Sequence, residues 1–132
     1  DLTRAERLVV GHAAVPGGAY TRALLERAEE QLGTDFAAAV RARIASEESN
    51  VRLARAKVEL GEADAAIVYR TDAIASDRVH AIAIPPGLSA RTRYVIASVG
   101  DAGETARAFI DFARSPTGAA ILERHGFEGA DG

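Results

Sequence analysis

The sequence has no cysteine among its 132 residues. That excludes a disulfide framework and thiolate chemistry, and leaves the redox compartment open. Aromatic residues are scarce at 5%, so a core must be assembled from Ala, Val, Ile and Leu, as in helix-on-sheet layers. No run approaches the roughly 18 apolar residues that a membrane-spanning helix needs. No block of like charges marks a tail. The 16 basic and 19 acidic residues are interspersed and leave a net charge of −3. The concentrated positive footprint that a nucleic-acid partner requires is therefore absent. What is present is 48% hydrophobic residues, too many for a disordered chain. The length suits one domain, or one lobe plus part of another. The chain begins at Asp1 and not at methionine, so the lack of a signal peptide says nothing about targeting.

Periodicity orders the elements. "RLVVGHA" (Arg7 to Ala13) reads as a short buried strand ending at Gly11, followed by the punctuation Pro16-Gly17-Gly18. A helix from about Ala19 to Leu32 follows, with Leu24, Leu25, Ala28 and Leu32 on one face and Gly33 as its stop. Asp35 to Val40 can be a helical turn or more, and a strand is expected around Ala42 to Ala45. Ser49 or Asn50 caps a helix that runs to about Leu60 and ends at Gly61. Three more strands are expected: Ala65 to Tyr69, Val79 to Ile84, and "RYVIASV" from Arg93. Two helices close the chain, broken at Ser115-Pro116, where Ser115 caps the second. The first five elements alternate as in α/β folds with a parallel sheet. Pro85 to Gly87 is the one candidate boundary. The fold class expected is α/β, a three-layer sheet with flanking helices, followed by carboxyl-terminal helices.

Several catalytic and cofactor patterns fail. A Walker loop opening at Gly11 would need glycine where Pro16 stands, and no Lys-Ser/Thr pair follows. The dinucleotide pattern fails at Ala13. His12, His80 and His125 are isolated, without cysteine or a second histidine four residues on, so they do not describe a zinc site. There is no Gly-x-Ser-x-Gly elbow. Asp64 and Asp72 flank a strand, which suits helix-end and turn roles better than an acid/base pair. No enzymatic constellation and no cofactor are expected.

Two stretches share a physical logic. "VPGGAY" and "ESNVRLA" each end a strand and open a helix. A helix opening leaves about four backbone N–H groups without intrahelical partners and carries about half a positive charge. Two openings at the carboxyl edge of one parallel sheet would converge on one anion, and Gly17 would let it approach bare backbone. Taken by themselves, the residues read rather as ordinary strand-to-helix turns with ordinary caps.

"ESNVRLARAKVELGEADAAIVYRTDA" resembles the middle segment of the periplasmic molybdate-binding proteins of ABC transporters, within the type II periplasmic binding protein superfamily. "VPGGAY" is similar to that family's Val-Pro-Ala-Gly-x-Tyr helix start, and "FARSPTGAAILERHGF" to its carboxyl-terminal signature. The resemblance implies an extracytoplasmic solute-binding component of an ABC importer, periplasmic or membrane-anchored outside the cell. It implies a tetrahedral oxyanion, molybdate or tungstate, held by neutral donors: the N–H groups of Gly17 and Val51 and the hydroxyl of Tyr69. No metal is implied beyond the one inside the oxyanion. A donor-only site suits a dianion. Singly protonated phosphate would leave a donor facing a proton, and an unsatisfied buried donor costs about 1–3 kcal/mol.

The same resemblance assigns residues 1–90 to the anion-binding second lobe of a two-lobe protein. Residues 91–132 become a carboxyl-terminal strand and helices leading back to a first lobe. The expected partners are that first lobe and an ABC permease, with self-association possible through an uncovered face. The chain would then be a fragment or a stand-alone lobe. The competing reading is a ligand-sensing effector domain of a transcriptional regulator on the same scaffold.

Overall fold

A computed structural model of the chain describes residues 2–101 and 103–129. The chain divides into two compact units, Asp1–Ala90 and Arg91–Gly132.

The first unit is built around strand β1 (Leu8–Gly11), all four residues of which are buried. It lies between β2 (Ile44–Glu48) and β3 (Ala65–Ala66), and both pairings are parallel. Alternation along β1 sorts its side chains to two faces. Leu8 and Val10 pack with Leu24 and Leu25 of helix α1 (Pro16–Leu32) and Val40 of α2 (Thr34–Arg41). Val9 points the other way, toward Ala54 of α3 (Val51–Glu59) and Ala63. Helix, sheet and helix therefore form three layers. A strand wrapped on both sides must be apolar throughout, and "LVV" meets that demand.

Backbone chemistry sets the ends. Gly33 closes α1 at φ 94, donates its N–H to Glu29 O, and then opens α2. An Arg41–Glu29 ion pair at 2.8 Å ties these two helices on the surface. The stretch 35–40, left ambiguous by the sequence, is thus part of a full helix. Asn50 caps α3 by accepting from Leu53 N at 3.0 Å, and Gly61 at φ 75 ends it. Between Leu8 and Val9 the register on β2 shifts: Leu8 faces Ile44 and Val9 faces Ser46, so Ala45 is an extra residue. This bulge lets Ile44 join the α1/α2 core while Ser46 and Glu48 turn to the α3 side.

Three strand expectations need correction. Only Ala65–Ala66 of the stretch 65–69 pairs with β1. Residues 79–84 and 93–99 form no ladder among the described residues. They have the alternation of strands, but a strand exists only where a neighbour takes its N–H and C=O groups. The first stretch leads instead into a turn at Pro85 that accepts from Leu88 N and Ser89 N. That turn is tied to α1 by Arg27 Nη1 on Ser89 O (3.0 Å) and Gln31 Nε2 on Gly87 O (3.2 Å).

The second unit comprises α5 (Glu104–Arg114) and α6 (Pro116–Arg124); a five-residue helix α4 (Arg70–Ile74) precedes it in the first. Ser115 hinges the pair: its Oγ donates to Phe112 O at 2.7 Å and accepts from Gly118 N at 3.2 Å. A Cβ on Gly118 would lie 2.2 Å from Phe112 O, so only glycine fits. Tyr94 packs edge-on against Phe127, centroids 5.5 Å apart.

Candidate functional site

At its carboxyl end β1 runs directly beneath the first turn of α1. A Cβ on Gly11 would sit 2.7 Å from Gly18 N, and one on Gly18 would sit 2.0 Å from His12 O. Strand end and helix opening meet main chain to main chain, which two glycines permit. The connection between them is tightened by Val15 N on His12 O (3.0 Å), by Ala14 N on His12 Nδ1 (3.1 Å) and by Arg22 Nη2 on Ala13 O (3.2 Å). His12 is thus a turn-former.

The opening of α1 is poor in caps. Val15 offers no side-chain acceptor, and Pro16 has no N–H. Gly18 N and Ala19 N both donate to Val15 O. Gly17 N–H is left without an acceptor among the described residues. At α3, Asn50 satisfies Leu53 through its side chain and Ala54 through its carbonyl. The N–H groups of Val51 and Arg52 have no acceptor among the described residues. The two openings touch: a Cβ on Gly17 would lie 2.9 Å from Val51 Cγ1. Both sit at the carboxyl edge of the parallel sheet, where α/β folds bind ligands.

Tyr69 does not end a strand. Ile67 N donates to Val9 O at 3.0 Å, and the chain then leaves the sheet. Tyr69 becomes the N-cap residue of α4, its carbonyl accepting from Asp72 N (3.0 Å) and Ala73 N (3.2 Å). Its ring meets that of Tyr20 edge-on, centroids 6.1 Å apart at 74°. Tyr20 lies three residues beyond Gly17, on the same face of α1, so the Tyr69 ring is held beside that helix's opening. The structure thus brings Gly17 and Val51 together and places the Tyr69 ring against α1.

Sequence reasoning missed the polar groups that support this arrangement. Glu48, at the end of β2, would by itself repel an anion. Its carboxylate is paired with Lys57 Nζ, and Ser46 Oγ donates to it at 2.9 Å. The bond from Lys57, then that from Ser46, hold the Glu48 carboxyl below the usual range against the opposing effect of burial. Arg55 Nη1 donates to Asp72 O at 2.9 Å, and its Nε lies 2.9 Å from Glu59 Oε1 as an ion pair without hydrogen-bond geometry. Asp64 accepts from Arg7 Nη2 (2.9 Å), Arg7 N (2.8 Å) and Glu6 N (3.1 Å), fastening the start of β1 to β3. The side-chain bond to Arg7 leads in lowering the Asp64 pKa and in raising that of Arg7. Asp64 is a structural clamp. Ser46 and Glu48, two apart on one strand, and Arg55 and Glu59, four apart on α3, left a local trace; the remaining partners come from other elements. Uncommitted N–H groups at two adjoining openings can hold an acceptor-only ligand.

The chain matches the family described as "Bacterial extracellular solute-binding protein" over residues 1–128. It is also similar to the molybdate-binding protein ModA of Escherichia coli (strain K12), at 35% identity over 132 residues. That alignment covers 96% of this chain and 48% of the relative. The chain therefore spans about half the length of the curated relative it matches.

Proposed function

The chain belongs to the bacterial extracellular solute-binding proteins, and from that premise we propose that it is the oxyanion-holding lobe of an ABC importer's binding component. The family is one of binding proteins, not enzymes. The ligand is molybdate or tungstate, and Gly17 N–H, Val51 N–H and the Tyr69 hydroxyl are the donors. The observation that carries this reading is the contact between two helix openings, Gly17 against Val51, with the N–H of each uncommitted among the described residues. Two aligned peptide dipoles there favour negative charge. Lys57 and Arg55 of α3 are already engaged, by Glu48 and Glu59, and the donors assigned to the anion are neutral, so it leaves again readily. The similarity to a molybdate-binding protein agrees with this ligand class.

In this reading residues 1–90 hold the anion, and the other lobe of the full-length protein closes over it. Residues 91–132, with Val95 and Val99 about nine-tenths exposed and Phe109 62% exposed, are covered by that lobe. The protein works outside the cytoplasmic membrane and delivers its cargo to a permease. A regulator's effector domain finds no support in either match.

The test is the melting temperature of the natural full-length protein with molybdate, tungstate, sulfate and phosphate. Molybdate and tungstate should raise it, phosphate should not, and Tyr69→Phe should reduce the rise. No shift with any of the four anions rejects the reading.

A further inference from the structure

Two side chains that contribute no donor to the anion hold Tyr69 from opposite partners. Tyr20, on α1, meets the Tyr69 ring edge-on. Arg55, on α3, donates to Asp72 O in the single turn that Tyr69 opens. Tyr20 is three residues past Gly17, and Arg55 is four past Val51. Each thus lies one turn into the helix, on the same face as that helix's proposed donor. Its partner Glu59 compensates the Arg55 charge, and both side chains are mostly buried, 22% and 17% exposed. The guanidinium is therefore spent on main chain and carboxylate, not on a ligand.

We propose that Tyr20 and Arg55 are positioning residues that fix the Tyr69 phenol relative to the two helix openings, so that the three donors form one rigid set. This rests on the donor-site reading above. A rigid set matters because an anion gains from a third donor only when that donor already points at it; a mobile phenol loses ordering entropy on binding. Arginine suits the task, since its planar fork reaches a carbonyl and a carboxylate at once, which lysine does not do.

The experiment is a double-mutant cycle on the natural full-length protein, with molybdate affinity measured by calorimetry. Arg55→Lys and Tyr20→Leu should each weaken binding about tenfold, as loss of a supporting shell does. In a Tyr69→Phe background the same two changes should cost less than about twofold, because the donor they aim is gone. Should Arg55→Lys fail to fold, the pair Arg55→Met with Glu59→Gln removes both charges together. Equal losses in both backgrounds, or no loss in either, overturn the positioning role. If the parent protein binds no molybdate, the donor-site reading falls, and the proposal with it. That failure is distinct, because Tyr69→Phe is then silent too.

Discussion

Residues 1–90 and 91–132 both carry apolar patterning, yet they use it differently. In the first unit a four-residue strand is covered on both faces, and Leu8, Ala28, Val40 and Ala54 are fully buried. In the second, α5 has a marked apolar face but no buried residue among those described, and Tyr94, Val95, Val99 and Phe109 are more than half exposed. The difference shows what a hydrophobic pattern specifies. It names the face to be covered, and a partner must supply the cover. The first unit carries its own partners on both sides of β1.

Glycine substitutions should separate the units most sharply. Gly18→Ala drives a methyl into His12 O, and we expect a loss of about 3 kcal/mol or more, spread over the whole first unit. Gly118→Ala makes a similar clash with Phe112 O, but amide spectra should change only within residues 91–132. A global collapse from Gly118→Ala would break the distinction. Next in size, Val9→Ala should cost about 1–3 kcal/mol in chemical denaturation, since Val9 is 2% exposed. Phe109→Ala should stay within about 0.5 kcal/mol in the 132-residue chain. A large Phe109 effect would mean that its face is covered in solution. Below the upper range of the Val9 effect, the caps should be equivalent: Asn50→Ala and Ser115→Ala should each cost about 1 kcal/mol, read as separate local transitions.

Acid sharpens the contrast further. Asp64 and Glu48 both lie in the first unit and are held below their ordinary range. Each therefore stabilises the fold above about pH 4, and that contribution fades as pH falls through the lowered folded value. Stability of the first unit should drop on acidification. Asp64→Asn should flatten that drop, with wild type and variant converging only once pH lies below the lowered folded value of Asp64, as followed by circular dichroism. Among the glycine changes the smallest effect is expected of Gly17→Ala. Its methyl meets only the end of the Val51 side chain, which a rotamer change relieves, so stability should move by less than about 1 kcal/mol.

Local signals made much of this legible. The apolar spacing of Leu24, Leu25 and Ala28 located α1, and Asn50, Gly61 and the Ser115-Pro116 break located helix ends. Gly17 and Val51 were reachable through the helix openings they begin, and Tyr69 only through the family motif around it. What escaped was nonlocal. The Ala45 bulge depends on β1 beside it, and the alternation at 79–84 and 93–99 gave no hint that neither finds a neighbour. The clamp of Arg7 on Asp64 and the reach of Arg55 to Asp72 O join residues 57 and 17 positions apart. No window along the chain contains such a pair.

The approach of Gly11 to Gly18 has a last consequence. The seat of the α1 opening on β1 is peptide on peptide, so no exchange of residue type can raise or lower it without unseating the helix. Under the function proposed above, a change of ligand would have to come from the surrounding positions, such as 17, 51 and 69, while the base stays constant in shape.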